Sequence, residues 1–204
     1  MVIDAVERQG KYSITGLLDL HPPRGERLGI YPVLGAPSDL PSLMKRLNIE
    51  GCVVAIEDNR TRAETVADIR AAVENIPFVT VVHPSAETAG DVKFGAGVVV
   101  TAGAAINSGA IIGDHCIVNT HASVDHDTVV EEYASLAAGV TLGGNVRIGA
   151  HTVLQLGVKV IHGRTIGPHA VIGAGSTVVS DIPAYAAARG TPARVVEPRK
   201  TGED

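Results

Sequence analysis

From Phe94 to Val178 an aliphatic or aromatic residue recurs at every sixth position for fifteen consecutive matches, running through Val100, Ile106, Ile112 and onward to Ile166, Ile172 and Val178. Four residues after each comes a second apolar or small residue, as at Val98, Ala104, Ala110, Cys116, Ala122 and Thr128, with Arg164 as the one clear exception. An α-helix cannot keep such a stripe on one face, because six residues at 3.6 per turn rotate it away. A triangular coil can. Glycines directly after the repeating aliphatic, at Gly95, Gly113, Gly143, Gly149, Gly167 and Gly173, mark turns expected to need unusual backbone angles.

With three hexads to a coil, fifteen hexads make about five coils joined by parallel ladders, a column roughly 24 Å tall at about 4.8 Å per coil. Composition agrees: Gly is 23 of 204 residues, aromatics are 3 %, and Trp is absent, so aliphatic side chains must fill a repetitive core. Both ends of such a stack expose unpaired backbone groups and must be covered. Residues 1–82 lose the six-residue period and read as α/β, with helices near Val2–Gln9, Leu40–Arg46 and Arg60–Glu74 and strands near Ser13–Leu18, Cys52–Ile56 and Phe78–Val82. The repeat domain spans 83–182, and a tail over 183–204 carries Pro183, Pro192 and Pro198, which block further coiling.

A formal charge of −5 argues against nucleic acid as a partner and against anionic membranes. The N-terminus has no basic region, no apolar core and no apolar run of spanning length, which reads as a cytoplasmic protein with no membrane insertion. Cys52 and Cys116 lie in apolar stretches without a ligand pattern and read as buried free thiols.

The VVHPSA turn at the head of the repeat, the VDHD stretch Val124–Asp127, the run GVTLGGNVRIG at Gly139–Gly149 and the ending Gly190–Arg194 carry a family likeness. The chain resembles the sialic-acid O-acetyltransferase and UDP-4-amino-sugar N-acetyltransferase family of hexapeptide-repeat acyltransferases. The resemblance implies a left-handed parallel β-helix preceded by a small Rossmann-like α/β domain, here lacking its first strand and the glycine-rich turn after it. It further implies a homotrimer that acetylates the amino group of a nucleotide-linked amino sugar in surface polysaccharide or glycan synthesis. Acetyl-CoA is the implied co-substrate, bound between subunits, and no metal is expected.

Amide formation from a thioester needs a base for the amine proton, a donor for the oxyanion and aligned substrates. His126 matches the family's general base and Asp127 its supporting acid; on the residues alone, His126 also reads as a solvated turn histidine. Gly144 follows it by 18 residues, one full coil, so its backbone stacks beside the base. The family's matching glycine donates its N–H to the thioester carbonyl, whereas an ordinary turn glycine is the plain alternative. Asn119 matches a family site residue that could equally stabilise a turn ladder. Ser135 stands where the family commonly has a histidine near the thioester. Leu156 and Ala174 match positions lining the acetyl-CoA groove, with coil packing as the other reading. Asp19, after the Ser13–Leu18 strand, could hydrogen-bond a ribose or base; Leu20 follows it where the family usually has a second acid.

From Tyr133 to Lys200 the net charge is +5, with Arg147, Lys159, Arg164, Arg189, Arg194, Arg199 and Lys200 against Asp181 and Glu197. Such a patch suits coenzyme A phosphates or a merely solvated face. Other readings are an O-acetyltransferase of the same fold, a non-catalytic scaffold, and a metalloenzyme like the γ-class carbonic anhydrases, for which His121 and His126 have suggestive spacing.

Overall fold

The computed structural model describes residues 1–19 and 27–198. Its larger part is a three-sided prism of two-residue parallel strands. Face one stacks Val81–Val82, Val99–Val100, Ile117–Val118, Ser135–Leu136, Val153–Leu154 and Val171–Ile172. Face two begins at Glu87–Thr88 and ends at Thr177–Val178, and face three runs from Lys93–Phe94 to Thr165–Ile166. Register is 18 residues throughout, as in Ile117 opposite Ser135 and Ser123 opposite Thr141. This is the left-handed parallel β-helix. The repeating aliphatics fill its centre: Ile106, Ile112, Leu136, Leu142, Ile148, Leu154, Ile166 and Ile172 are fully buried, each worth about 1.5–3 kcal/mol of apolar burial.

Val81–Val82 already pairs with Val99–Val100, so the first rung of face one lies before residue 83. At the other end Ala186–Arg189 pairs with face one and folds back on Arg194–Pro198 as an antiparallel hairpin, closing the open edge.

The glycines after the repeating aliphatic have a different cause from the expected one. A Cβ on Gly149 would lie 2.3 Å from the Pro168 nitrogen of the next coil, so close backbone approach excludes a side chain there. Positive φ falls two residues later, at His151 (59°), Asp127 (55°) and Gly163 (68°). Arg164, the exception to the inward pattern, stays at the surface with its guanidinium 3.9 Å from Asp181.

In the α/β part, α1 spans Val2–Gln9, α2 Leu40–Leu47 and α3 Asn59–Ala72. Helix α3 is N-capped by Asp58, whose Oδ1 accepts from the Thr61 N–H at 2.7 Å. Strand β1 is shorter than expected, only Leu17–Leu18, and pairs in parallel with β3 (Tyr31–Gly35). An antiparallel hairpin of β2 (Arg27–Leu28) with β3 was not legible in the sequence; the Tyr31 hydroxyl ties it to α1 by donating to Glu7 at 2.8 Å. The Cys52 segment pairs only with Phe78, as an isolated bridge, and among the described residues shares no ladder with β1. Leu40, Val54, Val66, Ile69, Ile76 and Phe78 form this part's own core. Among the described residues no helix is long and apolar enough to cross a membrane.

The α/β part is fastened to the prism at the corner between faces three and one. There Phe78, His115, Tyr133, His151, His169 and Tyr185 form a column of rings with centroids 4.7–5.1 Å apart. Arg62 of α3, 1 % exposed, donates to the carbonyls of His115, Ile56, Glu57 and Tyr133. Asn59 donates to the carbonyl of His151 at 3.0 Å.

Candidate active site

His126 stands at the corner between faces two and three, in the turn after Ser123–Val124. Its Nδ1 is 2.9 Å from Asp127 Oδ2, a contact that selects the tautomer with the proton on Nδ1 and the lone pair on Nε2. The hydrogen bond to Asp127, with the negative charges of Asp125 and Asp127, raises the imidazole pKa above its ordinary value. Asp125 is fixed in turn: its Oδ1 accepts from Asn107 Nδ2 at 2.9 Å and from the His126 N–H at 2.8 Å. The Asn107 bond holds that carboxyl below its usual range. Asn107 was not singled out in the sequence, though it precedes Asp125 by the same 18 residues that relate every coil to the next.

Gly144 lies against the imidazole. A Cβ there would stand 2.4 Å from Nε2 and 2.6 Å from Cε1, so only glycine leaves the ring its place. The Gly144 N–H finds no hydrogen-bond partner among the described residues. A base nitrogen and a free backbone donor thus sit side by side, the two groups a tetrahedral intermediate requires. Gly143 is glycine for a separate reason, because its Cβ would lie 2.7 Å from the His162 nitrogen.

The other expected residues do not gather around His126 within one chain. Asn119 is at the corner between faces one and two, where its Oδ1 accepts from the Thr120 N–H at 2.7 Å and from Thr101 Oγ1 at 3.3 Å. Leu156, 61 % exposed, and Ala174 share that corner. The Ala174 N–H donates to Gln155 Oε1 at 3.1 Å. Beside them on face one, at the start of α3, opens a cleft of about 210 Å³ lined by Asp58, Asn59, Arg60, His151, Val153, Gln155 and Val171.

Ser135 lies on face one and is buried: its Oγ donates to Asn59 Oδ1 at 2.6 Å and accepts from Arg62 Nη2 at 3.2 Å. Within one chain it therefore belongs to the α3 contact. Asp19 is exposed at the end of β1, its N–H donating to the Gly35 carbonyl at 3.0 Å. Of the basic residues, Arg147 pairs with Glu131 and Arg164 neighbours Asp181. Leu20, Arg199 and Lys200 lie outside the described residues. His121 and His126 are on different corners, and among the described residues no three His, Cys, Asp or Glu side chains converge as metal ligands would.

A column of hexapeptide coils with an acid-paired imidazole set against a glycine of the next coil defines the class of left-handed β-helix acyltransferases. Comparison with solved structures narrows this. PerB from Caulobacter crescentus, in complex with CoA and GDP-perosamine, is 36 % identical, with 96 % of this chain and 91 % of that one covered and a TM-score of 0.89. The acetyltransferase domain of PglB from Neisseria gonorrhoeae FA1090, in complex with acetyl coenzyme A, is 29 % identical, covering 96 % and 93 % with a TM-score of 0.88. WeeI from Acinetobacter baumannii AYE, at 23 % identity with 95 % and 92 % covered and a TM-score of 0.84, shares the fold. The PglD N-terminal domain family matches residues 1–69. No curated protein matches the chain. The chain belongs to the acetyltransferase family of hexapeptide-repeat sugar acyltransferases.

Proposed function

We propose that this protein transfers the acetyl group of acetyl-CoA to the amino group of a nucleotide-linked amino sugar, working in the cytoplasm as a homotrimer with His126 as general base. The observation that carries this reading is the contact of the His126 Nε2 region with Gly144, with Nδ1 held by Asp127. Support for the substrates comes from the PerB complex, which contains CoA and GDP-perosamine, and from the PglB domain complex with acetyl coenzyme A.

The amine nitrogen attacks the acetyl carbonyl carbon while Nε2 of His126 takes the amine proton. Asp127 stabilises the imidazolium, and the Gly144 N–H donates to the carbonyl oxygen as it becomes an oxyanion. Collapse of the intermediate breaks the carbon–sulfur bond, and the proton on His126 passes to the departing thiolate. Asn119, Leu156 and Ala174 sit on a different corner from His126, so a second copy of the prism is needed to bring both sets to one groove. In this reading Asn119 holds the acceptor, Leu156 and Ala174 line the acetyl-CoA groove and Asp19 contacts the nucleotide.

The test is release of free CoA from acetyl-CoA in the presence of UDP- or GDP-linked 4-amino-4-deoxy sugars. Release that disappears in His126→Ala is expected. Absence of release across a panel of such acceptors overturns the assignment.

A further inference from the structure

One turn of the preceding coil, Asn107, Ser108 and Gly109, meets all three residues of the Asp125, His126, Asp127 turn or their neighbours. Asn107 Nδ2 donates to Asp125 Oδ1 at 2.9 Å. The Ser108 carbonyl accepts the Asp127 N–H at 3.0 Å. Gly109 leaves space for the Asp127 carboxylate, since a Cβ there would stand 2.5 Å from Asp127 Oδ1. This turn is anchored in its own right by the coil before it, where Asp91 Oδ2 accepts from Ser108 Oγ at 2.8 Å and from the Gly109 N–H at 3.1 Å.

The two acids beside His126 thereby have different partners. Asp127 Oδ2 faces Nδ1 of the ring at 2.9 Å, whereas Asp125 Oδ1 takes the His126 backbone N–H at 2.8 Å together with the Asn107 amide. A carboxylate held by two donors stays ionised and stays in place. We infer that Asn107 is a positioning residue for the acetyl transfer: by holding Asp125 on the His126 backbone, it fixes the imidazole that accepts the amine proton and keeps a second negative charge beside it. The inference rests on the reading of His126 as general base. The charged groups acting on this turn are Asp125 and Asp127 at His126, and His126 and His162 at Asp125. His162 and Asp127 are the same in every variant below, so differences among the variants belong to Asn107 and Asp125.

A double-mutant cycle with two readouts tests this. Proton NMR follows the His126 ring through its titration without any substrate, with His126→Gln to assign the signal. Steady-state rates with acetyl-CoA and a UDP- or GDP-linked amino sugar give kcat and KM. In Asn107→Ala the ring should titrate at lower pH, because Asp125 is released to solvent and its charge is screened. There kcat should fall roughly 10-fold while KM for acetyl-CoA stays within about twofold. Asp125→Ala should move both readouts the same way and at least as far. Adding Asn107→Ala to Asp125→Ala should change kcat by less than about twofold and leave the titration where it is. Asn107 is exposed, so the wild type and Asn107→Ala should share one melting temperature. Asn107→Asp, which removes the donor and adds a charge, should instead raise the titration of the ring. Additive losses in the double variant, or a ring titration that Asn107→Ala leaves unmoved, overturn the inference. Failure of the wild type to release CoA with any acceptor counts against the general-base reading, and the NMR titrations then still decide whether Asn107 acts on His126 through Asp125.

Discussion

Arg62 Nη2 donates to the carbonyl of Tyr133 at 2.9 Å, joining a helix of the α/β part to the prism across 71 residues of chain. The same guanidinium reaches the carbonyls of Ile56, Glu57 and His115 and the side chains of Asn59 and Ser135, and burial lowers its pKa. Every one of these oxygens would lose a partner together. Arg62→Leu should therefore cost about 3 kcal/mol or more, since each orphaned buried acceptor costs about 1–3 kcal/mol. Urea unfolding of the two proteins checks this, and a loss under 1 kcal/mol would show the network to be incidental.

Gly144→Ala should reduce acetyl transfer about 100-fold or more with little change in melting temperature. The new methyl would occupy the place of His126 Nε2, 2.4 Å away, and the exposed ring can swing aside, so geometry suffers while packing does not. Steady-state rates and a thermal melt of the same preparation measure both effects.

The pH profile of kcat/KM should fall on the acid side through the pKa of His126, which stands above the ordinary imidazole value because of Asp127 and Asp125. Asp127→Asn removes the hydrogen-bonded charge, so the acid limb should move to lower pH while the plateau rate drops. An unmoved limb would mean that a group other than His126 is being titrated.

His115 makes a separate prediction about stability. Its ring is 1 % exposed between Phe78 and Tyr133, with both nitrogens lacking hydrogen-bond partners. Burial, aided by the nearby positive charge of Arg70 and then of Arg62, pushes its pKa down to about 4. An unfolded histidine titrates near 6.5, so between these values the unfolded chain binds the extra proton. Stability should thus be full above about pH 6.5 and decline as pH falls towards 4. His115→Phe should flatten that slope in denaturant melts taken across the window.

A trimeric mass in light scattering is expected from the separation of His126 and Gly144 from Leu156 and Ala174 on two corners of the prism. A monomer would leave neither set able to complete a groove.

The six-residue rhythm alone determined the prism, because a period of six with inward aliphatics suits a three-sided coil and the coil repeat of 18 follows arithmetically. That repeat also made the neighbourhood of His126 and Gly144 readable, since residues one coil apart must stack. Chain order carries much less about the corners. Whether Ser135 looks into a groove or into α3 depends on where Asn59 and Arg62 dock, and nothing local to Ser135 encodes that. The α/β strands are shorter than their sequence pattern suggests for a related reason: β1 is ordered by pairing with β3, a partner contributed by a hairpin with no alternating pattern. The glycines followed the same division: their positions were visible in the repeat, but the cause at Gly95, Gly113, Gly143, Gly149 and Gly167, the backbone of the next coil at 2.3–2.7 Å, was set by stacking, and Gly173 has no backbone that close. Periodicity is a property of neighbours along the chain, whereas a site on a prism is made of residues from separate coils and separate elements, which only packing brings together.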